Sequence, residues 1–123
     1  MPSSSSFREL RVWQEALKLA VATYRETAHF PKHEIYGLTQ QIRRAAVSAP
    51  SNIAEGKGHR SNREFCHFLY HARGSLLELQ TQLTIARELQ YVSEESVRPL
   101  LDATDAVGRA LAGLINSLGA EAA

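Results

Sequence analysis

The sequence predicts an all-α protein, an antiparallel up-down-up-down four-helix bundle. Four segments carry apolar residues at alternating spacings of three and four, the mark of a helix with one buried edge. Each segment is bounded by a serine cap, a glycine or a proline. No stretch alternates with period two for long enough to make a strand. A chain of 123 residues suits one domain, expected over 7–118, with a disordered lead-in at 1–6 and a frayed tail at 119–123.

Ser6 and Glu9 have capping-box spacing, so the first helix is expected to start there and run to about His29, stopped by Pro31. Its predicted seam is Leu10, Trp13, Leu17, Ala20, Tyr24 and Thr27. The second helix is expected from Leu38, with Leu38, Ile42, Ala45 and Ala49 inward. Pro50 lacks an N–H and crowds the carbonyl of Ala46, so a kink is expected there. Ile53 falls one position out of step, as a bend would produce. Asn52 continues the seam, and its amide could satisfy a carbonyl freed by Pro50. Glu55 and Gly56 close this tract, and Gly56-Lys57-Gly58 reads as the helix end.

Ser61 and Glu64 form a second capping box, opening a third helix that should reach about Gln90. Its seam is the clearest: Phe65, Leu69, Ala72, Leu76, Leu79, Leu83 and Ala86. The fourth helix has two candidate starts. Ser93 is followed by two acids, whereas Ser96 would leave Pro99 in the first turn. Val97, Leu100, Thr104, Val107, Leu111, Leu114 and Leu118 are its seam.

Composition excludes several classes. There is no apolar run of about 18 residues, so no membrane span is indicated. The N-terminal MPSSSSF lacks the regions of a secretory signal. The single cysteine, Cys66, excludes an internal disulfide framework and suits a reducing, cytoplasmic setting. Net charge is +1, but residues 37–75 carry +4 and residues 76–123 carry −4. That imbalance permits contact with phosphates, or head-to-tail contact between copies.

Apolar residues remain off the seams. Tyr70, Leu77 and Tyr91 lie at seven-residue spacing on the third helix with Ile85 beside them, and Val12 and Leu19 lie off the seam of the first. Gly74 would let another backbone approach. These residues are the expected interface for self-association. Arg43, Arg44, Lys57, Arg60 and Arg63 are the candidate nucleic-acid contacts, with the third helix's N-terminus offering backbone donors to an anion. No stacking aromatics interleave with these charges, so sequence-specific reading is not expected.

Enzymatic readings are weaker. Glu26/His29 and Glu64/His67 are Glu-x-x-His pairs, as in di-iron bundles, but their register points outward and they fall at opposite ends. Cys66 has His67 and His71 nearby in sequence, but position i+1 does not face i on a helix. No catalytic residue, cofactor or metal is expected.

The segments LRVWQEAL (10–17), FPKHEIYGLTQQIRRAAVSAPSNIAEG (30–56), REFCHFLYHARGSLLELQTQL (63–83) and the leucine-rich last helix resemble the four-helix-bundle proteins encoded in intervening sequences of bacterial large-subunit (23S) rRNA genes. The tract from Gln41 to Gly56 is the most specific part, and Ala49 stands where such proteins more often carry a larger aliphatic residue. The resemblance implies a cyclic homopentamer without catalytic residues. It also implies similarity to the accessory variability protein of diversity-generating retroelements, a basic pentamer that binds reverse transcriptase and nucleic acid. Three functions follow as expectations. One is an oligomeric scaffold meeting RNA, DNA or a nucleic-acid enzyme; another is a purely structural assembly; the third is a metalloenzyme.

Overall fold

Four helices form where apolar edges and end signals coincide, and they are the only long elements among the described residues. The computed structural model describes residues 6–122. Apart from Ser6, the expected lead-in lies outside the described residues, as does Ala123 of the expected tail.

The start of the chain departs from expectation. The Ser6 hydroxyl accepts from the Arg8 N–H at 3.2 Å, not from Glu9, and caps a short 3-10 turn, Phe7–Glu9. Leu10 is extended, and helix α1 runs Arg11–Thr27. The Gln14 amide donates to the Arg8 carbonyl at 2.8 Å, and Phe7 meets Trp13 edge-on, so the turn is tied to the helix.

The face of α1 is also turned from the expected one. Val12, Ala16, Leu19, Ala20, Thr23 and Thr27 are buried, while Leu17 and Tyr24 are 41% and 44% exposed. Val12 and Leu19, expected to serve a second face, belong to the core of the chain itself. Two apolar ladders share this helix, and the one built from smaller residues lies inside. Small side chains let α1 sit close to its neighbours, whereas Leu17 and Tyr24 would hold it away. Buried Thr23 and Thr27 hydroxyls donate to the carbonyls of Leu19 and Thr23, which removes the cost of placing them there.

A second 3-10 turn, Lys32–Glu34, leads into α2, Leu38–Lys57. α2 passes through buried Pro50 without stopping. Ile42, Ala45, Ala49 and Ile53 are buried as expected. The Asn52 amide is spent elsewhere than on the proline gap: it donates to the Ser48 carbonyl (2.9 Å) and hydroxyl (3.0 Å). α2 ends on Gly58, which keeps right-handed angles. Gly56 is needed for space. A Cβ on it would lie 2.6 Å from Phe68 Cβ and 3.0 Å from Phe65 Cδ1, so it sets how closely α2 and α3 approach.

α3 runs Asn62–Glu88, and every residue of its expected seam is buried. Its fully buried leucines, Leu69, Leu79 and Leu83, each contribute about 1.5–3 kcal/mol. The Ser61 hydroxyl accepts from the Glu64 N–H at 3.1 Å, one half of the expected capping box. The helix stops short of Gln90, whose φ of 64° is left-handed. The N–H groups of Gln90 and Tyr91 donate back to the carbonyls of Arg87 and Ala86, a Schellman ending.

α4 runs Glu94–Ala122. Ser93 is the cap, its hydroxyl accepting from the Ser96 N–H at 3.1 Å, so the later start at Ser96 is not used. Val97, Leu100, Thr104, Val107 and Leu111 are buried, while Leu114 and Leu118 are half-buried against the core. Each helix packs on its neighbour in the chain, and α1 packs on α4, so α1 and α3 occupy diagonal corners. Ser48–Ser75, Gln80–Asp105 and Arg87–Glu94 are among the links between neighbours. No helix among the described residues is long and apolar enough to cross a membrane.

Candidate interaction surfaces

The five arginines and lysines singled out in the sequence fall into two groups. Lys57, Arg60 and Arg63 gather at the α2–α3 turn, where α2 ends on glycine and Ser61 starts α3 within four residues of Lys57. Arg60 and Arg63 are exposed, and the Lys57 ammonium lies 5.7 Å from the Phe65 ring centre. His59 completes the turn. Its Nδ1 is 2.7 Å from Glu64, and its ring stacks on Phe68 at 4.8 Å. Among the described residues no ion pair engages Arg44, Arg60 or Arg63.

Arg43 and Arg44 stand apart from that turn. Arg44 precedes Lys57 by 13 residues, about 20 Å along the helix axis. Arg43 is engaged within the chain, against the expectation of a free contact. Its Nε donates to the Thr27 hydroxyl at 2.9 Å, a terminal nitrogen reaches the Tyr24 carbonyl at 3.4 Å, and its guanidinium lies 4.7 Å from the Tyr24 ring centre. A cation at the last turn of α1 also complements the dipole of that helix. Arg44 stays exposed beside Tyr24, Ile35, Tyr36 and Val47 along a shallow groove.

The expected second apolar face is partly realised. Tyr70, Leu77 and Ile85 are 56%, 56% and 45% exposed along α3, and nothing stands within 4 Å of a Cβ built on Gly74. Tyr91 is engaged within the chain instead. Its hydroxyl donates to Glu34 at 2.8 Å, and its ring packs on Phe30. The other Glu34 oxygen accepts from the Leu38 N–H at 3.0 Å, which caps α2. These two hydrogen bonds, the backbone one foremost, hold the Glu34 carboxyl below the usual carboxylate range. The same pairing with Glu34 raises the Tyr91 phenol.

A second exposed strip escaped the sequence reading: Leu17, Val21 and Tyr24 on α1, continued by Ile35 and Tyr36 after it and by Val47 on α2. The spacing 17-21-24 is itself helical and is the available signal, but Leu17 and Tyr24 fall in the expected core seam, which leaves Val21 unassigned. Also missed was a polar chain between α2 and α3. Asn52 donates to Ser48, the hydroxyls of Ser48 and Ser75 are 2.8 Å apart, and Ser75 donates to the His71 carbonyl at 3.1 Å. Glu55 is exposed, and its carbonyl accepts from the Gly58 N–H.

Of the two Glu-x-x-His pairs, Glu64 is taken up by His59 and Ser61. Among the described residues no three His, Cys, Asp or Glu side chains gather into a metal-binding group. The Cys66 thiol is half-buried and turned to the Ile115 carbonyl on α4, 3.9 Å away.

Fold and surfaces together define a small all-α protein of the four-helix class, with exposed apolar and basic faces. Residues 8–113 match the model of the 23S rRNA-intervening sequence protein family, and the chain belongs to that family. A crystal structure of a protein of unknown function from the S23 ribosomal protein family of Bacteroides thetaiotaomicron shares the fold. It has a TM-score of 0.76 at 20% identity, over 85% of this chain and 97% of the other. A comparison with curated proteins finds no match.

Proposed function

We propose that the chain is a non-enzymatic, cytoplasmic scaffold that assembles with copies of itself and meets nucleic acid, or an enzyme acting on it, at the α2–α3 turn. The observation that carries this reading is the pair of exposed apolar strips on diagonal helices, Leu17–Val21–Tyr24 on α1 and Tyr70–Leu77–Ile85 on α3. Apolar faces that recur with the helix period are surfaces for a partner. Two different faces at opposite corners favour head-to-tail contact, which closes into a ring when the rotation allows. The resemblance noted in the sequence supports a subunit number of five.

The nucleic-acid part rests on Lys57, Arg60 and Arg63, with Arg44 further along α2. Three phosphate contacts give a salt slope of about −2 for one subunit on a single strand, and on the order of −10 for five subunits engaged together. The reading thus ties RNA affinity to assembly. Light scattering of the purified chain, with and without RNA across a salt series, tests both parts. An assembled particle that binds RNA steeply less as salt rises supports the reading. A lone folded subunit, or binding indifferent to salt, overturns it.

A purely structural assembly is the second reading, favoured by the engagement of Arg43 within the subunit. The basic centre would then meet the acidic α4 of the next copy. Charge reversal at the exposed Arg60 and Arg63, which leaves the Arg43 contacts in place, should break the particle under this reading and leave it whole under the first.

A further inference from the structure

We propose that His67 and His71 form a two-nitrogen chelate for a tetrahedral transition-metal dication, zinc above all, on the outer face of α3. The two residues are four apart on one helix and so share a face. Both rings are exposed, and their Nε2 atoms lie 3.3 Å apart, one ring N–H donating to the other ring's nitrogen, a contact that an ion would replace. Zinc–imidazole bonds of about 2.0–2.1 Å meeting at the tetrahedral angle put two ligand nitrogens about 3.3–3.4 Å apart. A right-angled pair, as in the square-planar sites of copper and nickel, needs about 2.9 Å. The spacing fits tetrahedral geometry.

The pair is also braced. Phe68 stands edge-on to the His67 ring at 5.8 Å and tilted to His71 at 6.5 Å. Phe68 is held by the close approach of Gly56 and by the stacked His59 ring, which Glu64 holds through Nδ1. The His71 backbone is pinned by the Ser75 hydroxyl at the end of the polar chain from α2. Ligands seated on rigid, packed elements lose little entropy when the ion arrives. With no third His, Cys, Asp or Glu gathered beside them among the described residues, two coordination positions remain for water or an outside donor. The site stands on the same end of the molecule as Lys57, Arg60 and Arg63, where a dication adds to the positive charge, but it does not depend on nucleic-acid binding.

The test is a calorimetric titration of zinc chloride into the full chain, stripped with chelator and carrying no affinity tag, in a buffer that does not bind metals. Cobalt chloride is titrated in parallel, because tetrahedral cobalt gives intense visible absorption. One zinc per chain is expected, with the tetrahedral cobalt band. His67→Ala and His71→Ala should each weaken binding at least tenfold, since even a group behind a ligand is worth about 10–100-fold. Both rings are exposed, so the variants should melt like the parent. His29→Ala and Cys66→Ser should bind as the parent does. No zinc binding at millimolar concentration overturns the site, as does binding that survives His67→Ala/His71→Ala or is lost in Cys66→Ser.

Discussion

At the scale of single residues, the strongest constraints are steric and differ from those a glycine count would suggest. Gly56 lies against Phe65 and Phe68, so Gly56→Ala must push α2 and α3 apart, and a loss of about 1–3 kcal/mol is expected in urea unfolding. Gln90 shows the reverse case. It occupies the left-handed position of a Schellman ending where glycine is the natural occupant, so Gln90→Gly should raise stability by about 1 kcal/mol. Buried hydroxyls divide in the same way. Thr39 Oγ1 is buried without a partner, so Thr39→Val should stabilise by up to about 1 kcal/mol. Thr27 accepts from Arg43, and Thr27→Val should weaken the fold because it strands that guanidinium. Denaturation midpoints that move the same way for both threonines would refute this assignment.

At the scale of elements, the buried seam of α3 was legible because its 4-3-4-3-4-3 spacing is unbroken from Phe65 to Ala86, even though Tyr70, Leu77 and Ile85 lie off it, and α4 was nearly so. α1 was not. It carries two apolar ladders one step apart, and hydrophobicity alone favours the larger, outer one of Leu17 and Tyr24 over the inner one of Ala16 and Thr23. Likewise, the sequence shows five cations near one another, but the length of α2 divides them and the last turn of α1 takes up Arg43. The Glu34–Tyr91 link was invisible because it joins two loops 57 residues apart. A carboxyl held low in the fold adds stability above the ordinary glutamate value, near 4.3, and loses it as pH falls through the folded value. A phenol held high adds stability below about 10 and loses it as pH rises through the folded value. The melting-temperature difference between the parent and Glu34→Gln should therefore be widest from about pH 5 to 9 and narrow on both sides. A difference independent of pH would place the link outside the folding balance.

At the scale of the whole molecule, the question is whether the two exposed strips meet each other or themselves. Val21 lies at the centre of the α1 strip and is 42% exposed; Leu77 lies on the α3 strip and is 56% exposed. A glutamate at either position puts a charge into a contact that must exclude water, which several kcal/mol oppose. If α1 of one copy meets α3 of the next, each variant alone loses the ring and falls to single subunits. Mixing restores one contact and only one. Leu77→Glu keeps an intact α1 strip, Val21→Glu keeps an intact α3 strip, and the two should join as a one-to-one dimer that cannot grow. If instead like strips pair across a two-fold axis, each variant keeps its other self-contact, and mixing creates no species absent from the separate samples. Sedimentation of each variant and of the mixture separates the cases: monomer, monomer and dimer is the expected pattern. The same mixture also tests the link to RNA. A dimer engages at most two turns, so its salt slope should fall to about −4, well short of the ring's.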